Sequence, residues 1–212
     1  MAKEAWPILI PIGICSAITL GLFWVYSQPG FGYLGGILAV GTGFVAAFFR
    51  DPNRVPPADG GAIVSAGDGR VVTVQSIKAD PWLEGDGIQV SVFLSIFNVH
   101  INRIPVSGLV DAFEYRSGKF RLAFAHQASA ENEQAVVRIQ GSDFTIVVKQ
   151  IAGFLARRIV CRLSKGDEVS IGQRFGLIKF GSRIDHLLPP TTSIKVKVGD
   201  QVKAGETIIG VV

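Results

Sequence analysis

From residue 5 to residue 49 no charged side chain interrupts the chain; Glu4 and Arg50 bracket the run. An uncharged stretch of this length provides for two helical crossings of a bilayer at about 20 residues each. The predicted helices are Ile8 to Tyr26 and Phe31 to Phe49, divided by Ser27-Gln-Pro-Gly30, where proline and glycine punctuate a turn. Trp6, Trp24, Tyr26 and Tyr33 stand near the proposed ends, the positions where amphipathic rings favour the membrane interface. A cleaved signal peptide accounts for the first segment alone. The second follows at once and no small-x-small cleavage site lies between them. Residues 1–49 are therefore expected to form a membrane-anchoring hairpin. Lys3, Arg50 and Arg54 flank both ends, so the bias of basic residues toward the cytoplasm predicts that the termini and the remaining chain lie on the cytoplasmic side of the cell membrane.

After Arg50 the pattern changes. Asp51-Pro-Asn-Arg-Val-Pro-Pro57 reads as an extended linker, because proline pushes the preceding residue away from helix. Short β-branched runs then alternate with glycine and aspartate: Ile63-Val64, Val71 to Val74, Ile88 to Leu94, Val106 to Phe113, Val136 to Ile139, Phe144 to Gln150, Arg158 to Leu163, Leu177 to Phe180, Ser193 to Val198 and Thr207 to Val212. This is strand texture, with helix expected only near Leu122 to Gln134. Gly166-Asp-Glu-Val-Ser-Ile-Gly172 and Gly199-Asp-Gln-Val-Lys-Ala-Gly205 repeat one pattern, each a turn, a short strand and another turn. The second copy looks like the barrel-sandwich hybrid of biotinyl and lipoyl carriers. The expected fold is mainly β: a barrel-sandwich-hybrid-like core over residues 50–212 behind the helical hairpin.

Composition narrows the function classes. The mean hydropathy of +0.38 is high for a soluble chain and is explained by the hairpin. Two cysteines, Cys15 and Cys161, lie far apart, which suggests neither a disulfide framework nor a metal pair; no metal is expected. The formal charge of +4 and pI near 9.2 suit an anionic partner, and an acidic lipid surface qualifies. No arginine-rich run with interleaved aromatics points to nucleic acid, and none is expected as a partner.

Gly176-Leu-Ile-Lys-Phe-Gly-Ser-Arg-Ile-Asp-His-Leu-Leu-Pro189 carries the candidate chemistry. Read plainly, Leu177 to Phe180 is a strand running into Gly181, with Ser182 at a polar bend. The same geometry serves a second purpose if the Gly181–Ser182 bond is strained and exposed, since the serine hydroxyl can then attack the carbonyl of its own preceding residue. With Phe48-Phe-Arg-Asp-Pro-Asn-Arg-Val-Pro56 and Phe97-Asn-Val-His-Ile-Asn-Arg-Ile-Pro-Val-Ser-Gly108 upstream, the chain resembles the phosphatidylserine decarboxylase family in its short form, over nearly everything after about residue 48. Arg183 stands where other members often carry a hydroxyl residue.

That resemblance implies a self-processing, pyruvoyl-dependent lyase of phospholipid biosynthesis. Cleavage between Gly181 and Ser182 leaves a large chain, 1–181, and a small chain, 182–212, as a heterodimer. Ser182 becomes a covalent pyruvoyl group, the cofactor that forms a Schiff base with the amine of phosphatidylserine and releases phosphatidylethanolamine. Asp68, in Val64-Ser-Ala-Gly-Asp-Gly-Arg-Val71, matches the acidic member of the family's Ser-Pro-Ala-Asp-Gly block, with Asp59 as a competitor. His100 matches the family's histidine, while Arg103 stands where longer members place a second one. Asn102, Arg103 and Arg183 are candidates for substrate binding, and Arg50 and Arg54 join them as possible phosphate partners on charge grounds. His126 and His186 are assigned to the surface. The competing reading is a non-enzymatic, membrane-anchored barrel-sandwich-hybrid adaptor or carrier, which requires long helical hairpins or a carrier lysine; the sequence offers neither.

Overall fold

The apolar stretch folds into two helices, as its pattern predicts. The computed structural model describes all residues except 59, 119–131, 154–158 and 180, and the chain divides into two units, Met1–Pro52 and Asn53–Val212. In the first unit a 3-10 turn over Lys3–Ala5 leads into α1, Trp6–Tyr26, followed by α2, Pro29–Phe48. The connection is Ser27–Gln28 only, shorter than the four-residue divider expected, because Pro29 and Gly30 already belong to α2. Proline is tolerated there: the first turn of a helix has no partner for its missing N–H. Ser27 closes α1 in the left-handed region (φ 52), its N–H donating to Phe23 O at 2.8 Å. Ser16 Oγ donates to Gly35 O at 3.0 Å and ties the helices together, the kind of small polar contact that suits packing in lipid. Trp24, Tyr33, Ile37 and Val40 remain exposed. Both helices are long and apolar enough to cross a membrane by length and composition.

Among its described residues the second unit contains fourteen strands. Numbered along the chain, these are β1 (Ala62–Val64), β2 (Gly69–Asp80), β3 (Gly85–Leu94), β4 (Ile101–Arg103), β5 (Gly108–Arg116), β6 (Gln134–Gln140) and β7 (Thr145–Ala152), followed by β8 (Ile159–Cys161), β9 (Glu168–Val169), β10 (Arg174–Ile178), β11 (Ser182–Leu188), β12 (Ser193–Ile194), β13 (Gln201–Val202) and β14 (Ile208–Val211). Eight of them form a sheet in the order β13-β2-β3-β11-β7-β6-β5-β9, and two three-stranded sheets, β1-β14-β12 and β4-β10-β8, complete the unit. The fold is mainly β, as expected, and its large sheet curls into a half-barrel. Val90, Val92, Leu94, Val137, Ile139, Val148, Ile184 and Leu188 face a shared apolar core, whose burial is the main stabilising contribution.

The sheet order is symmetric about the β11–β7 pair, and the hydrogen bonds repeat accordingly. Gly166 N donates to Val110 O at 2.8 Å and Gly199 N to Val71 O at 2.9 Å; Gly172 N donates to Ile104 O and Gly205 N to Ser65 O, both at 2.8 Å. Val64 N to Pro105 O at 3.0 Å and Arg103 N to Ala66 O at 2.9 Å form a reciprocal pair. The Gly-Asp-x-Val-x-x-Gly repeat thus marks a duplication deeper than its seven residues. One half comprises β4 to β10. The other is divided, β1 to β3 before it and β11 to β14 after it. The two repeat strands, β9 and β13, end the large sheet at its opposite edges.

Two expectations are corrected here. Ser182 is not at a bend: it is the first residue of β11, a strand missing from the sequence-based set and paired on both sides. His186 is not at the surface, being fully buried in the same strand. The helix expected near Leu122 to Gln134 falls mostly outside the described residues, as do His126 and Asp59; Gln134 itself opens β6.

Candidate active site

Strand β11 positions the candidate residues because it runs through the middle of the large sheet. Its ladders pair Ser182 with Leu94 of β3 and Ala152 of β7. Side chains alternate across a strand, so Ser182, Ile184, His186 and Leu188 share the core face while Arg183, Asp185 and Leu187 share the other. All seven residues are buried. Gly181, just before the strand, has φ +64, and an added Cβ there would meet open space. The restriction at this position is therefore backbone conformation rather than room, which is where glycine is favoured. Ser182 is 0% exposed, so the exposure expected of the Gly181–Ser182 bond is not met on the serine side. Its Oγ has no hydrogen-bond partner among the described residues. A buried hydroxyl left unpaired is costly, and packing alone does not account for one at the entrance of a central strand.

Leu94 links Ser182 to the other two candidates. As the last residue of β3 it pairs with Ser182, and the turn that follows delivers His100 at the entrance to β4. Gly67 lies against the same residue, since a Cβ on it would come within 3.2 Å of Leu94 Cδ1 and 2.7 Å of Ile184 Cδ1. Asp68 is the next residue. Ser182 and the segment carrying Asp68 thus meet at one end of β3 and β11, and His100 follows that end of β3 in the chain; all three are buried, His100 at 1% exposure.

Asp68 is held firmly. Its Oδ1 accepts Ala204 N–H at 2.8 Å, and Arg54 Nη2 lies 2.8 Å from its Oδ2 while Arg54 Nη1 contacts Glu206 Oε2 at 2.8 Å. Arg54, considered a phosphate partner on charge alone, is engaged inside the unit. The duplicated half has Ser107 at the position of Asp68, where Ser107 Oγ accepts Ile171 N–H at 2.9 Å. The turn is common to both halves; the acid belongs to one.

Asn102, Arg103 and Arg183 are also buried and engaged, while Arg50 is exposed. Arg103 Nη1 donates to Gly172 O at 3.0 Å. Arg183 Nε lies 2.8 Å from Asp185 Oδ1, an ion pair on the sheet face opposite Ser182. Asn102 Oδ1 accepts Gln150 Nε2 at 2.6 Å, bridging β4 and β7. His186, absent from the sequence-based site, supports this region: its Nε2 accepts Ala66 N–H at 2.8 Å and its Nδ1 lies 3.0 Å from Val90 O. The first bond fixes the neutral tautomer with the proton on Nδ1. Burial pushes its pKa down to about 4, against the opposing effect of the Val90 carbonyl and Asp185. Through Ala66 this histidine anchors the segment that carries Asp68.

Comparison with known proteins bears on the family rather than on individual residues. The family described as phosphatidylserine decarboxylase matches residues 42–210. The chain is 43% identical over 175 residues to a phosphatidylserine decarboxylase proenzyme of Desulfotalea psychrophila, covering 82% of each chain. It is 40% identical over 210 residues to that of Ralstonia pickettii, covering 99% of this chain and 94% of the relative. A Chlorobium phaeobacteroides proenzyme is 44% identical over 169 residues, covering 80% of this chain and 79% of its own.

Proposed function

Because the chain belongs to the phosphatidylserine decarboxylase family, we propose that it is a self-processing enzyme that converts phosphatidylserine to phosphatidylethanolamine through a pyruvoyl group made from Ser182. The observation that carries this reading is the buried, unpartnered Ser182 Oγ directly after a glycine at φ +64. The residues present suit the group: the hydroxyl has no competing partner among the described residues, and the glycine holds a backbone conformation that other residues rarely adopt.

In the precursor, Ser182 Oγ attacks the Gly181 carbonyl carbon and the peptide nitrogen takes a proton, giving an ester. Loss of the Ser182 α-proton expels the Gly181 carboxylate and leaves a dehydroalanine, whose hydrolysis releases ammonia and exposes a ketone. That ketone supplies an electron sink, forming a Schiff base with the substrate amine and accepting the pair left as carbon dioxide departs. His100, the imidazole of the block, takes the Ser182 proton in the first stage and returns one to the substrate carbon in the second. Asp68, charge-paired with Arg54, orients it. Arg103 stays protonated and cannot act as the base, so no second histidine's role transfers to it; Arg183, ion-paired with Asp185 on the opposite face of the sheet, does not face Ser182.

Residues 1–49 anchor the enzyme to the membrane that holds its substrate, with residues 50–212 on the cytoplasmic side, and chains 1–181 and 182–212 remain paired. The adaptor alternative has no support: its helical hairpins have no counterpart among the described residues of 53–212. In the test, Ser182→Ala stays full-length and inactive, and His100→Ala accumulates precursor on a denaturing gel. Cleavage of Ser182→Ala at the same bond overturns the mechanism.

A further inference from the structure

Two more buried polar atoms near Ser182 lack partners. Asn102 and Gln150 are each 0% exposed and joined by a single bond at 2.6 Å. Among the described residues Asn102 Nδ2 and Gln150 Oε1 bond to nothing. Exchanging the O and N of both amides leaves the same inventory, one spare donor and one spare acceptor. Gln150 pairs with Ile184, two positions along the ladder from the Ala152–Ser182 pair. It is thus the diagonal neighbour of Ser182 at about 7–8 Å between backbones, within reach of a long side chain. Its direction is settled by its bond to Asn102 on the facing small sheet, which places the amide on the core side with Ser182. The strand beneath is built to admit it. Gly176, the register partner of Asn102, would with a Cβ stand 3.0 Å from Gln150 Nε2 and 2.2 Å from Val160 O.

We propose that the Gln150–Asn102 amide pair is the receptor for the amino-acid end of the headgroup, an inference that rests on the function proposed above. The free acceptor takes an N–H of the substrate amine as it approaches the Ser182-derived carbonyl, and the free donor takes a carboxylate oxygen. A neutral donor suits a carboxylate that is about to leave. A cation in its place stabilises the charge in the ground state and raises the barrier to its loss, and Arg54 and Arg183 are both paired with carboxylates. The product has no carboxylate and loses the Asn102 contact, which favours its release.

The test compares Gln150→Leu, Gln150→Met and Asn102→Ala with the unaltered full chain in mixed micelles of phosphatidylserine and nonionic detergent, with rates divided by pyruvoyl content. Losing one hydrogen bond to a charged group raises KM about tenfold or more, with a smaller change in kcat. In Asn102→Ala the inhibition by phosphatidylethanolamine stays within about twofold, because the product never used that donor. Unchanged KM in all three variants overturns the proposal. So does an equal weakening of substrate and product in Asn102→Ala, or loss of self-cleavage in both Gln150 variants, which assigns the pair to folding or maturation. If the unaltered chain itself neither matures nor decarboxylates, the failure lies with the proposed function and not with the amide pair.

Discussion

Within β11, buried polar side chains differ in whether their hydrogen bonds are met. Ser182 Oγ lacks a partner among the described residues, whereas His186 in the same strand makes bonds at both ring nitrogens. A neutral histidine buried in this way has a consequence for stability. Its pKa is about 4 in the fold against an ordinary 6.5, so between these values the unfolded chain binds a proton that the folded chain does not. Stability therefore declines as pH falls from 6.5 toward 4, by on the order of 3 kcal/mol in full. The uncut Ser182→Ala chain should lose about 5 °C or more in Tm across this window. His186→Gln, less stable at neutral pH, should show a flatter profile between the same limits. Parallel profiles for the two chains mean that His186 is not the group responsible.

At the scale of elements, the hairpin and most strands are legible in the sequence because each is a run of one texture. α1 ends at Tyr26 as predicted, and β1, β3, β6 and β14 lie within a few residues of their expected places. Strand β11 is not legible, for a physical reason. It reads Ser-Arg-Ile-Asp-His-Leu-Leu, and alternation normally places such polar residues in solvent. Here both faces are covered, with Arg183 and Asp185 neutralising each other and His186 bonded at both ends. Nothing local in the sequence reveals those partners, which come from β1's outlet and β3. Gln150 is hidden in the same way, as a polar residue inside the apolar run of β7. The motifs, by contrast, nominate Ser182, Asp68 and His100 without regard to burial. The hairpin supplies its own prediction: removing residues 1–48 leaves a chain that still cleaves itself and turns over short-chain soluble substrate, but works poorly on bilayers. Equal loss of both activities shows that α1 and α2 serve the fold rather than access to lipid.

For the whole molecule, the duplication gives the proposed cut its place. The half formed by β4 to β10 is inserted between β3 and β11, and the Gly181–Ser182 bond is where the chain returns from that half to the other. Breaking the bond separates segments that are adjacent in sequence but leaves β11 flanked by β3 and β7, with β13 and β14 still paired to β2 and β1. Those ladders and the common core would hold residues 182–212 in place without the covalent link. The most direct measurement is therefore the mass of the purified, unaltered protein, taken under denaturing conditions beside its native size. Two polypeptides meeting between 181 and 182 are predicted, the smaller blocked to stepwise amino-terminal sequencing and both migrating together until denatured. A single chain of 212 residues with a free Ser182 hydroxyl, in a preparation that decarboxylates phosphatidylserine, contradicts it.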